Sequence, residues 1–212
     1  MDIFSFMLHI DQHLGTLINN YGVYIYVILF LIIFGETGLV VLPFLPGDSL
    51  LFIAGAFAAD GKLDPWLLSF LLITAAILGN TVNYWVGRLF GKKILETHSR
   101  WISRDTLNKA HAFYEKHGGK AVVLSRFLPL LRTFIPFVAG ISEMSKGKFQ
   151  LYNILGAVLW VTLFVWGGYF FGRIPLLRDH LGTIALVGFL AALLPAMLGF
   201  AWQFVRGKKN AQ

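Results

Sequence analysis

Four ionisable side chains stand inside otherwise apolar sequence: Glu36 and Asp48 in one stretch, Arg126 and Arg132 in another. An ionised group at membrane depth costs several kcal/mol, so such groups face a cavity or one another. The guanidinium of arginine is permanently charged and presents a planar fork matched to phosphate or carboxylate. A carboxyl group whose pKa is raised by desolvation can exchange protons near neutral pH. Each pair borders backbone expected to break a helix, at Pro43, Pro46 and Gly47 in the first stretch and at Pro129 and Pro136 in the second. Broken backbone at that depth is tolerated only when it is buried in protein or lines a water-filled space. The chemistry to expect is recognition of an anion, with proton exchange alongside, at a translocation site. A simple membrane anchor needs none of it.

Blander roles compete for the same residues. Arg126 and Arg132 could pair with Glu36 and Asp48 only to hold the fold, or could reach back to the interface, which is easiest for Arg126. They lie on different sides of any continuous helix, so a bend is needed to bring them together. Asp48 could serve as the N-cap of a half-helix starting at Ser49, whereas no capping role is evident for Glu36. Asn80 and Asn83 either line the cavity or hydrogen-bond between helices. Gly87 with Gly91, and Gly168 with Gly172, have the spacing of close helix packing and read as structural.

Other chemistries are poorly supplied. The chain has no cysteine, and all six histidines (His9, His13, His98, His111, His117, His180) fall outside the apolar cores. No metal site, no cofactor and no nucleophile–base pair at depth is therefore expected, and an enzyme is the least expected class. The net charge of +7 sits in loops beside apolar spans, which suits cytoplasmic loops and anionic headgroups better than nucleic acid.

The elements that must position these residues follow from composition. With 212 residues, 57% of them hydrophobic and 20 of them Phe, the chain is expected to be an all-α polytopic membrane protein. Residues 1–20 put Ile3, Met7, Ile10, Leu14 and Leu17 on one helical face and are expected to form an interfacial helix. Without Lys, Arg or a small-residue cleavage site, that segment is not expected to be a signal peptide. Residues 21–205 are expected to form the membrane domain, with about four spanning helices over 21–42, 66–90, 149–172 and 181–205. The apolar stretches 43–59 and 121–141 are interrupted. Residues 91–120 are the most polar, with a helix expected to be capped by Ser103, to place Leu107, Ala110 and Tyr114 on one side, and to stop at Gly118-Gly119. Residues 206–212 form a basic tail.

Orientation follows from the bases. Residues 91–120 and 206–209 are expected on the cytoplasmic side. Counting back from the tail leaves both ends of 121–141 cytoplasmic, so that segment is expected to be a re-entrant hairpin. The same count has 43–59 opening to the opposite side and both termini cytoplasmic. A repeat agrees with this. Phe44-Leu45-Pro46 followed by Ala54-Gly55 is echoed by Phe127-Leu128-Pro129 followed by Ala139-Gly140. Two opposed re-entrant hairpins in an inverted repeat place a site where the broken segments meet.

At these motifs the chain resembles the DedA family, the bacterial branch of the membrane proteins that share the VTT domain. The matching residues are Glu36-Thr37-Gly38, Phe44-Leu45-Pro46-Gly47-Asp48-Ser49-Leu50, Tyr114-Glu115-Lys116-His117-Gly118-Gly119, and Arg126-Phe127-Leu128-Pro129 with Arg132, Pro136 and Ala139-Gly140. The resemblance covers roughly residues 20–175. It implies an inner-membrane lipid transporter linked to the proton-motive force, with polyprenyl phosphate (undecaprenyl phosphate) or phospholipid as partner. It also implies functional roles for Glu36, Asp48, Arg126 and Arg132. A small-ion transporter, a general scramblase and an assembly factor stay open, as does a homo-oligomeric state.

Overall fold

The computed structural model describes residues 22–39, 47–97, 104–128 and 131–174, with side chains for all of these except 92–97 and 104–110. Every regular element among them is helical. Helix α1 spans Tyr24–Gly38, α2 Gly47–Ala59, α3 Pro65–Thr97, α4 Arg104–His117 and α5 Lys120–Leu124. A 3-10 turn, Ser125–Phe127, leads toward α6 at Leu131–Ile141, and α7 spans Lys146–Gly172.

Local chemistry sets the boundaries. Asp64 takes the Leu67 N–H at 2.7 Å and Pro65 occupies the first turn, together a strong start for α3. Helix α2 stops in a Schellman cap. Gly61 has φ +74, its N–H reaches the Ala58 carbonyl at 3.1 Å, and the Lys62 N–H reaches Phe57 at 3.2 Å. Helix α6 ends the same way, with the Glu143 N–H on Gly140 at 3.1 Å and Met144 on Ala139 at 3.0 Å. Here the left-handed position is held by Glu143, φ 54, at a cost of about 1–2 kcal/mol relative to glycine. Both short helices thus turn tightly into a long one. Gly118, φ +56, closes α4, as expected; Ser103 lies outside the described residues.

The packing repeats with the partners exchanged. Helix α2 lies on α7, where Gly55 meets the Val165 backbone, Gly168 the Phe52 carbonyl and Gly172 the Ala56 backbone. Helix α6 lies on α3, where Gly140 meets the Tyr84 carbonyl, Gly87 the Phe137 carbonyl and Gly91 the Ile141 side chain. The four small-residue positions over 87–91 and 168–172 are therefore close-packing seams, three of them against backbone and Gly91 against a side chain. One core gathers Ile25, Ile33, Leu51, Ile53, Leu72, Trp160 and Val165, and a second gathers Tyr84, Val122, Ile135, Val138 and Phe149. Outward faces stay apolar, with Phe70, Leu78, Leu155 and Leu163 all exposed. Helices α3 and α7 each carry an apolar span of 27 residues, more than the roughly 20 needed to cross a bilayer.

A methyl group at Gly168 would overlap the Phe52 backbone, whereas one at Gly167 meets only the edge of the Phe52 ring at 3.9 Å. Gly168→Ala is expected to destabilise by about 1–3 kcal/mol through overpacking, and Gly167→Ala to stay close to wild type. Thermal unfolding of the two variants in detergent checks this.

Several expectations change. The helix expected over 21–42 covers only Tyr24–Gly38, because Leu39 turns extended at φ -102, ψ 116. The helix expected over 66–90 continues to Thr97, since Lys92, Lys93, Leu95 and Glu96 are good helix formers beyond the apolar limit. Pro136 does not break the second segment; it sits inside α6. The missing N–H costs one bond to the Arg132 carbonyl, and the helix persists because eight of its neighbours, from Arg132 to Gly140, are buried. Gly47 is the first residue of α2. Pro43, Pro46, Pro129, the interfacial helix over 1–20, the span over 181–205 and the tail over 206–212 lie outside the described residues.

Candidate functional site: a buried ion cluster

The N-terminal ends of α2 and α6 and the last turn of α1 converge. Glu36 (0% exposed) and Arg132 (5%) form an ion pair through Oε1 and Nη2. The other arm of the fork, Nη1, reaches Asp48 Oδ1 at 3.1 Å. Arg132 stands in the first turn of α6, where the helix dipole disfavours a cation, so the two carboxylates are its compensation. Asp48 enjoys the favourable sign in the first turn of α2. It does not stand ahead of that helix as the N-cap before Ser49: its Oδ1 is taken by Arg132 and by the Trp160 indole N–H at 2.8 Å.

Gly47 is required by this cluster. A Cβ there would overlap the Glu36 carboxylate, which can retreat only by leaving Arg132. Gly47→Ala is expected to destabilise by about 1–3 kcal/mol and to lower activity, while Gly35→Ala, whose Cβ meets nothing within 4 Å, leaves both near wild type. Activity and melting temperature measured side by side check it.

Arg126 is buried too, at 3% exposure, in the 3-10 turn before α6. It touches neither carboxylate. Its Nη2 donates to Asn153 Oδ1 at 2.8 Å and to the Ala76 carbonyl at 3.3 Å, and its buried Nε has no partner. The two guanidinium groups are related through one ring: the carbon of Arg126 lies 5.8 Å from the centre of Trp160, and that of Arg132 5.7 Å. Both arginines thus come to one place, with the Trp160 indole as a shared cation–π partner.

Asn83 makes interhelical hydrogen bonds, its Nδ2 donating to the Thr133 carbonyl at 2.8 Å and the Thr37 carbonyl at 3.2 Å. That pins α3 to α1 and α6 behind the cluster. Asn80 is buried with its Nδ2 unpartnered. Among the described residues no group of three or more His, Cys, Asp or Glu could hold a metal ion. His111 approaches Glu115 at 3.8 Å, but on the exposed face of α4.

Two residues escape sequence reasoning. Trp160 reads as one more apolar position, yet a tryptophan in the middle of a span departs from the usual interfacial placement. Asn153 is an amide within an apolar span, the signal that singled out Asn80 and Asn83.

Comparison with known proteins places this arrangement. Residues 45–170 match the VTT domain. The chain is 49% identical over 212 residues to Protein DedA of Escherichia coli strain K12, covering 99% of this chain and 95% of that protein. It is 40% identical over 180 residues to an uncharacterized membrane protein of Mycobacterium leprae, covering 84% and 80% of the two chains. It is 36% identical over 159 residues to Inner membrane protein YqjA of E. coli K12, covering 74% and 71%. No solved structure matches the chain. The domain match spans more than half of the sequence and includes Asp48 and Arg132 of the cluster and Arg126 beside it, so this chain is a membrane protein of the DedA family.

Proposed function

We propose that this protein moves an anionic, phosphate-bearing lipid across the bilayer, with undecaprenyl phosphate as the cargo the DedA resemblance favours. The observation that carries the reading is the ion cluster of Glu36, Asp48 and Arg132, with Arg126 buried beside it, enclosed by helices whose outward faces are apolar. Two cations and two carboxylates balance formally. An arriving phosphate displaces a carboxylate from Arg132, and proton uptake by the displaced acid restores neutrality, which ties passage to the proton gradient. The lipid tail stays in the bilayer.

Helices α2 and α6 have 13 and 11 residues, about 20 and 17 Å of rise, against the ~30 Å thickness of a hydrocarbon core. Their length and their tight turns into α3 and α7 support opposed re-entrant hairpins in an inverted repeat, within a membrane domain over 21–205. The name of YqjA supports an inner-membrane location, and positive-inside counting supports cytoplasmic termini. The protein acts as a carrier without covalent chemistry. A purely architectural ion cluster is the competing reading, favoured by the engagement of Arg132 with two carboxylates.

The test is transbilayer movement of labelled undecaprenyl phosphate in liposomes holding the purified protein, with a phospholipid probe alongside and a proton gradient imposed or collapsed. Selective movement of the polyprenyl phosphate, faster with the gradient, is the expected result. Equal movement of both lipids would mean a general scramblase. Movement of neither would leave the architectural reading.

A further inference from the structure

Beside the ion cluster, a row of amide and hydroxyl groups joins α3 to α7 and ends on Arg126. Asn153, whose Oδ1 receives Arg126, directs its Nδ2 at the Ile77 carbonyl (3.0 Å), Gln150 Oε1 (3.0 Å) and Thr81 Oγ1 (3.3 Å). Two hydrogens face three acceptors, so this amide is oriented firmly. Gln150 Nε2 in turn donates to Thr81 Oγ1 at 3.0 Å. Burial is graded along the row: Gln150 and Thr81 are half-buried, whereas Asn153 and Arg126 are enclosed. The neighbours of Gln150 and Asn153 on α7, Leu151, Ile154 and Leu155, are exposed and apolar, so the row is a polar seam in a lipid-compatible wall.

The electrostatics of the two arginines differ. Arg132 is engaged by two carboxylates. Arg126 is met by a carbonyl, an amide oxygen and the face of Trp160, all neutral, and its buried Nε is unpartnered. A buried cation compensated only by dipoles attracts an anion.

We infer that Gln150, Thr81 and Asn153 form with Arg126 a second anion-recognition strip, the station at which a phosphate group is held before it reaches Arg132. This rests on the lipid-transport reading above and adds the route to it. Asn153 is a positioning residue, aiming the Arg126 fork. The Gln150 amide, which donates to Thr81 Oγ1, and the Thr81 hydroxyl, which donates to the Ile77 carbonyl at 2.6 Å, turn from these partners to the phosphate oxygens as it enters between α3 and α7.

The experiment measures the rate of polyprenyl phosphate movement against lipid concentration in proteoliposomes of the full chain. Thr81→Val and Gln150→Leu are expected to raise the half-saturating concentration about ten-fold, the scale of one lost hydrogen bond to a charged group, with maximal rate and melting temperature kept. Gln150→Glu raises it further and Gln150→Lys returns it to the wild-type value or below, a dependence on the sign of charge that a structural role would not produce. Should Thr81→Val fail to fold, the half-buried Gln150 series carries the test alone. Inorganic phosphate that competes in wild type, and less in Gln150→Glu, would show that the strip takes the bare phosphate group; absence of competition with the charge series intact would assign it to the lipid-borne headgroup. Identical half-saturation in the Leu, Glu and Lys variants overturns the strip while leaving the transport reading standing. A wild-type protein that moves no polyprenyl phosphate overturns both.

Discussion

Arg132→Ala is expected to abolish the proposed lipid transport and to destabilise the protein by about 3–5 kcal/mol, the cost of leaving buried charge without its partner. Two carboxylates, Glu36 and Asp48, lose their counter-charge at once. The loss of stability alone would not separate headgroup binding from fold maintenance. The triple variant Arg132→Met, Glu36→Leu, Asp48→Asn does. Apolar or neutral replacement of a whole buried ion cluster is often neutral or stabilising, so this variant is expected to regain most of the melting temperature in detergent while lipid flux stays at background. Recovery of flux together with stability would remove the headgroup role of Arg132.

Trp160 carries the second large effect. Trp160→Ala opens a cavity against two guanidinium groups and removes the Asp48 bond, for an expected loss of about 3–5 kcal/mol. Trp160→Phe keeps most of the ring but deletes the N–H that reaches Asp48 at 2.8 Å. It is expected to lose about 1.5–3 kcal/mol, the value of a hydrogen bond to a charged group, and to transport measurably more slowly. Thermal unfolding and initial flux of the Ala and Phe variants together test the assignment. Equal behaviour of Phe and wild type would reduce Trp160 to a packing residue.

What the sequence makes legible is set by polarity against an apolar background. Glu36, Asp48, Arg126 and Arg132 stand out because each is costly where it lies, and three of them share one cluster. The partition among them is not legible, since contact between residues as distant in sequence as Glu36 and Arg132 depends on how α1 and α6 dock. Trp160 is hidden by its own hydrophobicity. The turn after α2 is announced by Gly61, whereas the equivalent turn after α6 is held by Glu143, whose side chain gives no such signal. Pro136 misleads in the opposite direction: a helix breaker by local propensity, it is retained in α6 by burial on nearly every side. The bounds of α3 fail at one end only, because hydropathy reports the limit of lipid contact and not the limit of hydrogen bonding.

The exchanged packing of α2 on α7 and of α6 on α3 has a consequence for how such a protein can arise and be divided. Neither core is made by one half of the chain: the first needs Trp160 and Val165 from the second half, and the second needs Tyr84 from the first. Each half is the missing interior of the other, as in two domain-swapped copies that have been joined. Severed halves made separately would each lack a finished core, while the same halves made together retain all the surfaces needed to rebuild one.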